Sequence, residues 1–249
     1  MAILVTGGTK GIGLAIAMRL GRPGKSLVLA YHRDDDAAAV ARTRVAATGA
    51  AATIVRTDVG TIAGAAAIMD AIEAQGLGLE VVVHSAAMIY PTTLLEADPE
   101  QFRLAVETNG LSLLYLVQKG LRLMQSGASI IFITSAGART VASPRYGALG
   151  VGKAAAEAIM RYLVPELAPR GIRINAVAPG LVETTSVAAM VGGEEAAQRL
   201  FERAAKANPS GRLARDADYA SLVEYLASPE AQFIHGQVIH ANGGAFVGW

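Results

Sequence analysis

The sequence predicts an α/β fold, one doubly wound domain in which a seven-stranded parallel sheet is covered by helices on both faces. Short β-rich runs alternate with longer Ala- and Leu-rich stretches of helical period through the whole chain, and parallel strands need such a crossover element between them. Several β-rich runs, such as Ser26–Tyr31 (SLVLAY) and Val81–Val83, are apolar on consecutive residues, as strands covered on both faces are. The 249 residues also suit one α/β unit with a large core, since chains of about this length close as a single domain.

Ala2–Val5 is the first strand, and a glycine-rich turn leads it into a helix over Ile12–Gly21. Ser26–Tyr31 is the second strand, after which Asp34, Asp35 and Asp36 serve as N-cap and first-turn charges for a helix over Asp35–Thr48. Thr53–Thr57 leads to a helix over Ile62–Gln75, and Glu80–His84 to one long helical stretch over Pro99–Met124. Ser129–Thr134 is the fifth strand, followed by a helix over Tyr146–Leu167 and a sixth strand, Ile172–Val177. Gly180–Gly193, rich in Ser, Thr and Gly, is the one long irregular stretch; together with the adjoining residues up to Asn208 it is expected to form a mobile lid at about 181–208. Helices over Glu194–Ala207 and Asp216–Ala227 and a strand over Gln237–His240 complete the order. No internal repeat or low-complexity linker divides the chain.

Composition excludes several function classes. With 22 Lys and Arg against 21 Asp and Glu, the net charge is +1 and no basic run offers a field for nucleic acid. There is no cysteine, hence no disulfide or thiolate chemistry. The longest stretch free of charged residues, Ala231–Trp249, and the shorter Leu123–Ala138 are both too polar for a membrane span. Met1 runs directly into a strand without a basic leader, so a cytoplasmic protein is expected. His32, His84, His235 and His240 have no metal-ligand spacing.

The first strand ends in Thr6-Gly-Gly-Thr-Lys-Gly-Ile-Gly13. Glycines at 7, 11 and 13 permit a tight turn, close backbone approach, and presentation of helix N-terminal amides to a pyrophosphate. Strand, glycine turn, helix and second strand fit within about 30 residues, the context in which such a trio reads as a dinucleotide fingerprint. Candidate contacts in the loop are Gly7, Thr9, Lys10, Gly11, Ile12 and Gly13.

The spacing Thr-Gly-x-x-x-Gly-x-Gly resembles that of the short-chain dehydrogenase/reductase family, and the resemblance extends over essentially the whole chain. It implies a Rossmann-type, NAD(P)-binding domain. Asp58-Val59 is similar to the family's adenine-contacting acid and its neighbour. Ala86-Ala87 falls where the family has Asn-Asn-Ala-Gly, with His84 and Ser85 replacing the asparagines. Asn109 matches the family's helix asparagine, Ser135 its catalytic serine and Lys153 its active-site lysine. Asn175-Ala-Val-Ala-Pro-Gly180 resembles its Pro-Gly turn, which implies cofactor contacts from Pro179, Gly180, Val182 and Thr184. Gly236-Gln-Val-Ile-His-Ala-Asn-Gly-Gly244 is similar to the C-terminal segment, with Asn242 in place of an aspartate.

Charge distinguishes the two nicotinamide cofactors. A ribose 2′-hydroxyl calls for an acid at the end of the second strand, whereas a 2′-phosphate calls for cations. Here that strand ends in Tyr31-His32-Arg33, and Lys10 lies in the glycine loop. Both favour NADPH over NADH, with Asp34–Asp36 as the counter-signal.

One departure concerns the chemistry. Most of the family has a tyrosine four residues before the lysine, but Leu149 stands there, and the nearest tyrosine upstream is Tyr146 in Tyr146-Gly-Ala-Leu-Gly-Val-Gly-Lys153. On an unbroken helix a separation of seven puts the two about 10.5 Å apart along the axis. Tyr-x6-Lys is similar to the spacing of the enoyl-thioester reductases, in which the donor sits further from the hydride. The Val177-Ala-Pro-Gly180 turn instead resembles a ketoreductase, and no second tyrosine lies about ten residues before Tyr146. The candidate catalytic residues are Ser135, Tyr146, Lys153 and Asn109. They leave three readings open: an NADPH-dependent ketoreductase for a hydrophobic, polycyclic aromatic polyketide-type substrate, an enoyl-acyl-carrier-protein reductase, and a non-catalytic NADPH-binding regulator. In the first, the proton comes from Tyr146, water or the substrate's own hydroxyl.

Plainer roles stand beside these. Ser135 can cap the following turn, Asn109 can satisfy backbone at a helix distortion next to Gly110, and Tyr146 can simply pack at a helix start. His84 fits a hydrogen-bonded core group. Arg139 and Arg145 flank the expected site, where they can hold an acidic group or remain surface charges. The long apolar segments Pro99–Met124 and Tyr146–Leu167 fit a homodimer or homotetramer, the substrate is a small molecule, free or carrier-bound, and Trp249 suits an interface or site edge.

Overall fold

The computed structural model describes residues 1–247; Trp249 lies outside the described residues. Seven parallel strands form one sheet in the order β3-β2-β1-β4-β5-β6-β7. They are β1 Ala2–Thr6, β2 Ser26–Tyr31, β3 Ala51–Arg56, β4 Leu79–His84, β5 Met124–Ile133, β6 Arg173–Pro179 and β7 Val238–Ala241. The chain winds outward from β1 to β3 and then resumes beside β1 at β4, so the direction of winding reverses between β1 and β4. A crevice opens at the carboxyl ends of strands beside such a switch point.

The uniformly apolar strands are buried on both faces, as their composition predicts. On one face pack α1 Gly11–Leu20, α2 Asp35–Ala46 and α9 Asp216–Ala227, contributing Leu14, Ile16, Val45, Tyr219 and Val223. The opposite face is covered by α3 Ile62–Glu73, α5 Ser112–Gly120 and α6 Gly147–Leu167, through Ile68, Ile72, Leu116, Met160 and Leu163. No helix among the described residues is long and apolar enough to cross a membrane.

Arg173, at the start of β6, is buried and donates to the carbonyls of Leu226 (2.8 Å), Ala231 (3.1 Å) and Ser228 (3.0 Å). These acceptors lie at the end of α9 and just beyond it, where helical carbonyls lack partners. Replacing Arg173 with methionine should destabilise the fold by roughly 3 kcal/mol, because buried acceptors lose charged donors; denaturant unfolding at constant m-value measures it.

Two expectations need correction. The stretch Pro99–Met124 is not one helix: α4 (Pro99–Val106) passes into a π-helical turn at Glu107–Leu111, then α5, then a 3-10 turn at Leu121–Leu123. The interruption has a local cause. Asn109 turns its amide onto the backbone of Met88, while Gly110 meets α6 so closely that a Cβ would stand 2.8 Å from the Gly152 carbonyl. Met124 belongs to β5, pairing with Leu79. Nor is Gly180–Gly193 wholly irregular, since it contains α7, Thr185–Val191. Thr184 caps its start by accepting from the Val187 N–H, and Gly192 (φ +92°) ends it in the left-handed conformation. Beyond it, α8 runs over Glu194–Ala207.

Candidate active site

A cleft of about 2130 Å³ runs across the carboxyl ends of β1, β4 and β5 and under α7 and α8. Its floor depends on missing side chains. Gly7 has φ +62°, and a Cβ there would lie 2.9 Å from Ala86 Cα; a Cβ on Gly13 would lie 2.2 Å from the Gly7 carbonyl. The loop therefore closes onto the start of α1 and against Ala86 only with glycine at both positions. A Cβ-free cradle at a helix N-terminus fits the pyrophosphate of a dinucleotide.

His84 lies beneath this loop, fully buried, with Nδ1 2.7 Å from Thr6 Oγ1 and Nε2 2.8 Å from Ser112 Oγ. The Ser112 hydroxyl donates to the Thr108 carbonyl (2.7 Å), so it accepts from His84, whose proton is then on Nε2. Nδ1 accepts from Thr6, which in turn accepts from the Ala86 N–H. Burial, and secondarily the charge of Lys153, hold the imidazole neutral by lowering its pKa to about 3.

Beside the end of β2 the cleft is lined by Thr9, Ile12, His32, Arg33, Asp34, Asp58 and Val59. Lys10 is paired with Asp34 at 2.8 Å, and Asp34 also caps α2 through the Ala37 N–H. Asp58 accepts from the Gly60 N–H and stands 3.8 Å from His32 Nε2. Among the described residues Arg33 makes no ion pair.

At the opposite end Ser135, Tyr146, Leu149 and Lys153 line one wall. Tyr146 does not belong to α6: it ends a 3-10 turn over Pro144–Tyr146, and the helix begins at Gly147. The separation expected on an unbroken helix therefore does not apply, and the phenol reaches Ser135, Oη to Oγ 3.1 Å. Ser135 Oγ also accepts from the Gly137 N–H at 2.9 Å, so it both caps the turn and faces the cleft. Burial raises the pKa of Tyr146, and the Ser135 hydrogen bond opposes this; the phenol stays protonated at neutral pH. Lys153 is buried, with Nζ 4.9 Å from the centroid of Phe132 and no hydrogen-bond partner among the described residues. Desolvation lowers its pKa to about 7. A lone ammonium on the wall of the cleft suits hydroxyl acceptors of a bound ribose.

The remaining sequence candidates divide. Ala86, Ala87 and Thr184 line the cleft, whereas Pro179, Gly180 and Val182 are not among its lining residues, and Val182 packs in the core with α1 and α9. Asn109 is fully buried and does not line the cleft; both ends of its amide hold Met88, which does. Arg139 is bound to the buried Glu157 at 2.9 Å instead of facing a substrate, and Arg145 lines the cleft while donating to the Pro91 carbonyl. Sequence reading missed Met88, Ile89 and Leu104, which together with Met190 and Leu200 of the expected 181–208 segment give the cleft an apolar lining. Their identity as lining depends on how α4, α7 and α8 converge, for which local pattern has no signal.

The sheet order, the Cβ-free loop and a serine, tyrosine and lysine on one wall define a Rossmann-type oxidoreductase. The chain belongs to the short-chain dehydrogenase/reductase family. A family model described as enoyl-(acyl carrier protein) reductase matches residues 7–245. A versicolorin reductase of Emericella nidulans is 30% identical over 250 residues, which cover 98% of this chain and 94% of that protein. The structure of the angucycline C-6 ketoreductase LanV with bound NADP is similar with a TM-score of 0.87 and 31% identity, covering 98% of this chain and 95% of that one. That of the enoyl-acyl-carrier-protein reductase (NADH) of Aquifex aeolicus is similar with a TM-score of 0.86 and 27% identity, over 98% and 96%.

Proposed function

We propose that this chain is an NADPH-dependent ketoreductase acting on a hydrophobic, polycyclic aromatic ketone of polyketide type. The observation that carries the reading is the Ser135–Tyr146 contact of 3.1 Å. When a carbonyl carbon takes hydride, charge develops on the adjoining oxygen, and two hydroxyls meeting at one point can serve that oxygen together. An enoyl thioester develops its charge further from the hydride, and here the phenol is drawn back onto the serine. The likeness to a versicolorin reductase and to an angucycline ketoreductase supports a polyketide-type substrate, as does the apolar lining from Met88, Ile89, Leu104 and Leu149.

NADPH, when bound, supplies the hydride. The Gly7–Gly13 loop would hold its pyrophosphate, His32 and Arg33 its 2′-phosphate, and Lys153 the ribose next to the nicotinamide. Ser135 polarises the substrate oxygen. Tyr146, kept neutral by burial, gives that oxygen its proton. Replacing Arg33 with aspartate should raise KM for NADPH more than about tenfold and lower that for NADH, since a bidentate cation is exchanged for an acid suited to a 2′-hydroxyl; initial rates with both cofactors measure the switch.

The enoyl-reductase reading retains the Tyr-x6-Lys spacing and the description of the matching family model in its favour. The experiment that separates the two follows NADPH oxidation by absorbance against polycyclic aromatic ketones and crotonyl-type thioesters, with NADH in parallel. Turnover of ketones alone supports the proposal, and turnover of thioesters alone replaces it with the enoyl reading. Tight NADPH binding with neither panel turned over would favour a non-catalytic binder.

A further inference from the structure

Tyr146 reaches Ser135 across a turn whose middle residue has no side chain. We infer that Gly137 is the positioning residue that sets the phenol of Tyr146 against Ser135, with Gly150 of α6 as its support. The inference rests on the reading of Ser135 and Tyr146 as the donors to the substrate oxygen.

The geometry is specific. A Cβ on Gly137 would lie 2.5 Å from Cε1 and 2.6 Å from Cδ1 of the Tyr146 ring, and 3.2 Å from Ser135 Oγ. The Cδ1–Cε1 edge of the ring thus lies against the 3-10 turn Ala136–Ala138, in the volume that any other residue at 137 would fill. One turn into α6, a Cβ on Gly150 would lie 2.6 Å from the Gly137 carbonyl, so glycine there lets the turn settle directly on the helix. Both absences act in one direction. They lower the turn onto α6 and let the ring lean back over it towards Ser135.

The turn itself is pinned. Ser135 Oγ accepts from the Gly137 N–H, and at its far end Arg139 is bound to Glu157 on α6, which also accepts from the Thr134 hydroxyl at 2.8 Å. Tyr146 sits instead at the end of the short turn Pro144–Tyr146, which is exposed at Ser143, Pro144 and Arg145. With a methyl group added at 137, the tyrosine ring is the part that yields. Gly137 is not among the residues with positive φ, so alanine fits its backbone without strain and the change acts on the ring. This arrangement accounts for how a tyrosine one turn away from the usual position, which Leu149 occupies, still meets the serine.

The test is a double-mutant cycle of Gly137→Ala and Tyr146→Phe, with kcat and KM measured separately for NADPH-dependent reduction of a polycyclic aromatic ketone. A positioning role predicts that Gly137→Ala lowers kcat about tenfold or more with little change in KM, and by less than about twofold in the Tyr146→Phe background. An equal loss in both backgrounds overturns the inference. A crystal structure of Gly137→Ala gives a reading free of activity: Oη and Oγ separated beyond about 3.5 Å supports it, and an unchanged contact overturns it. If Tyr146→Phe alone leaves turnover intact, the donor assignment fails, and the crystallographic distance still decides the positioning. Gly150→Ala is the second variant should Gly137→Ala not fold, with the same Tyr146-dependent loss expected and a loss independent of Tyr146 counting against it.

Discussion

Tyr146→Phe should lower kcat for ketone reduction by about 10²- to 10⁴-fold, the range over which a positioned general acid acts, while cofactor binding and KM change little. The substitution removes one oxygen and keeps the ring over Gly137, so the fold has no reason to respond. Because burial pushes the phenol above its ordinary value of 10.0, loss of the phenol's own proton should lower kcat only as the solution becomes strongly alkaline. Steady-state kinetics of the two proteins across pH test this. A variant with undiminished turnover would leave water or the substrate's own hydroxyl as the proton source.

Lys153→Met should act in opposite directions on activity and stability. Turnover should fall by roughly 10³-fold, comparable to losing a principal electrostatic donor, with weaker binding of NADPH. Stability should rise. The folded-state pKa of about 7 lies below the ordinary 10.5, so between those values the unfolded chain binds the extra proton. In that window the native protein gains stability as pH rises, with a slope from this group approaching about 1.4 kcal/mol per pH unit. Below pH 7 the full cost of the buried ammonium is present. The methionine variant should therefore exceed the native protein most at pH 6 and scarcely at pH 10, as thermal unfolding at both values measures. A residue retained against its own cost in stability is held there by function.

Much of this molecule is legible in its residues. The seven strands, apart from the start of β5 at Met124, and α1, α2, α3, α8 and α9 lie where apolar runs and helical period put them, because each is a local pattern answered by one large core. The breaks in the pattern are the tertiary ones. The π-helical turn at Asn109 depends on the backbone of Met88, some twenty residues earlier in sequence. The helix within Gly180–Gly193 depends on a threonine cap and a terminal glycine within a stretch whose composition signals only irregularity. At the site, the glycine fingerprint could be read from spacing, and Ser135 and Lys153 from the resemblance to the family. The place of Tyr146 could not. Counting along an ideal helix presumes that Tyr146 belongs to α6, whereas Pro144 starts a separate turn and Gly137, nine residues before the tyrosine, decides where the ring lies. Arg139 is a similar case, since its partner Glu157 is eighteen positions away.

The hydrogen bonds around His84 have a bearing on how the cleft answers to acid. With Nε2–H given to Ser112 and Nδ1 filled by Thr6, the imidazole has no open valence for a further proton. An aromatic side chain that elsewhere titrates in the physiological range acts here as a rigid cross-tie between β1 and α5. Rate profiles of this enzyme should accordingly carry no inflection from His84 near the usual histidine value, whereas Lys153 contributes a limb close to neutrality. Acid affects this tie only through unfolding: below about pH 6.5 the released histidine takes up a proton that the folded chain refuses, and the native state loses ground to the open one.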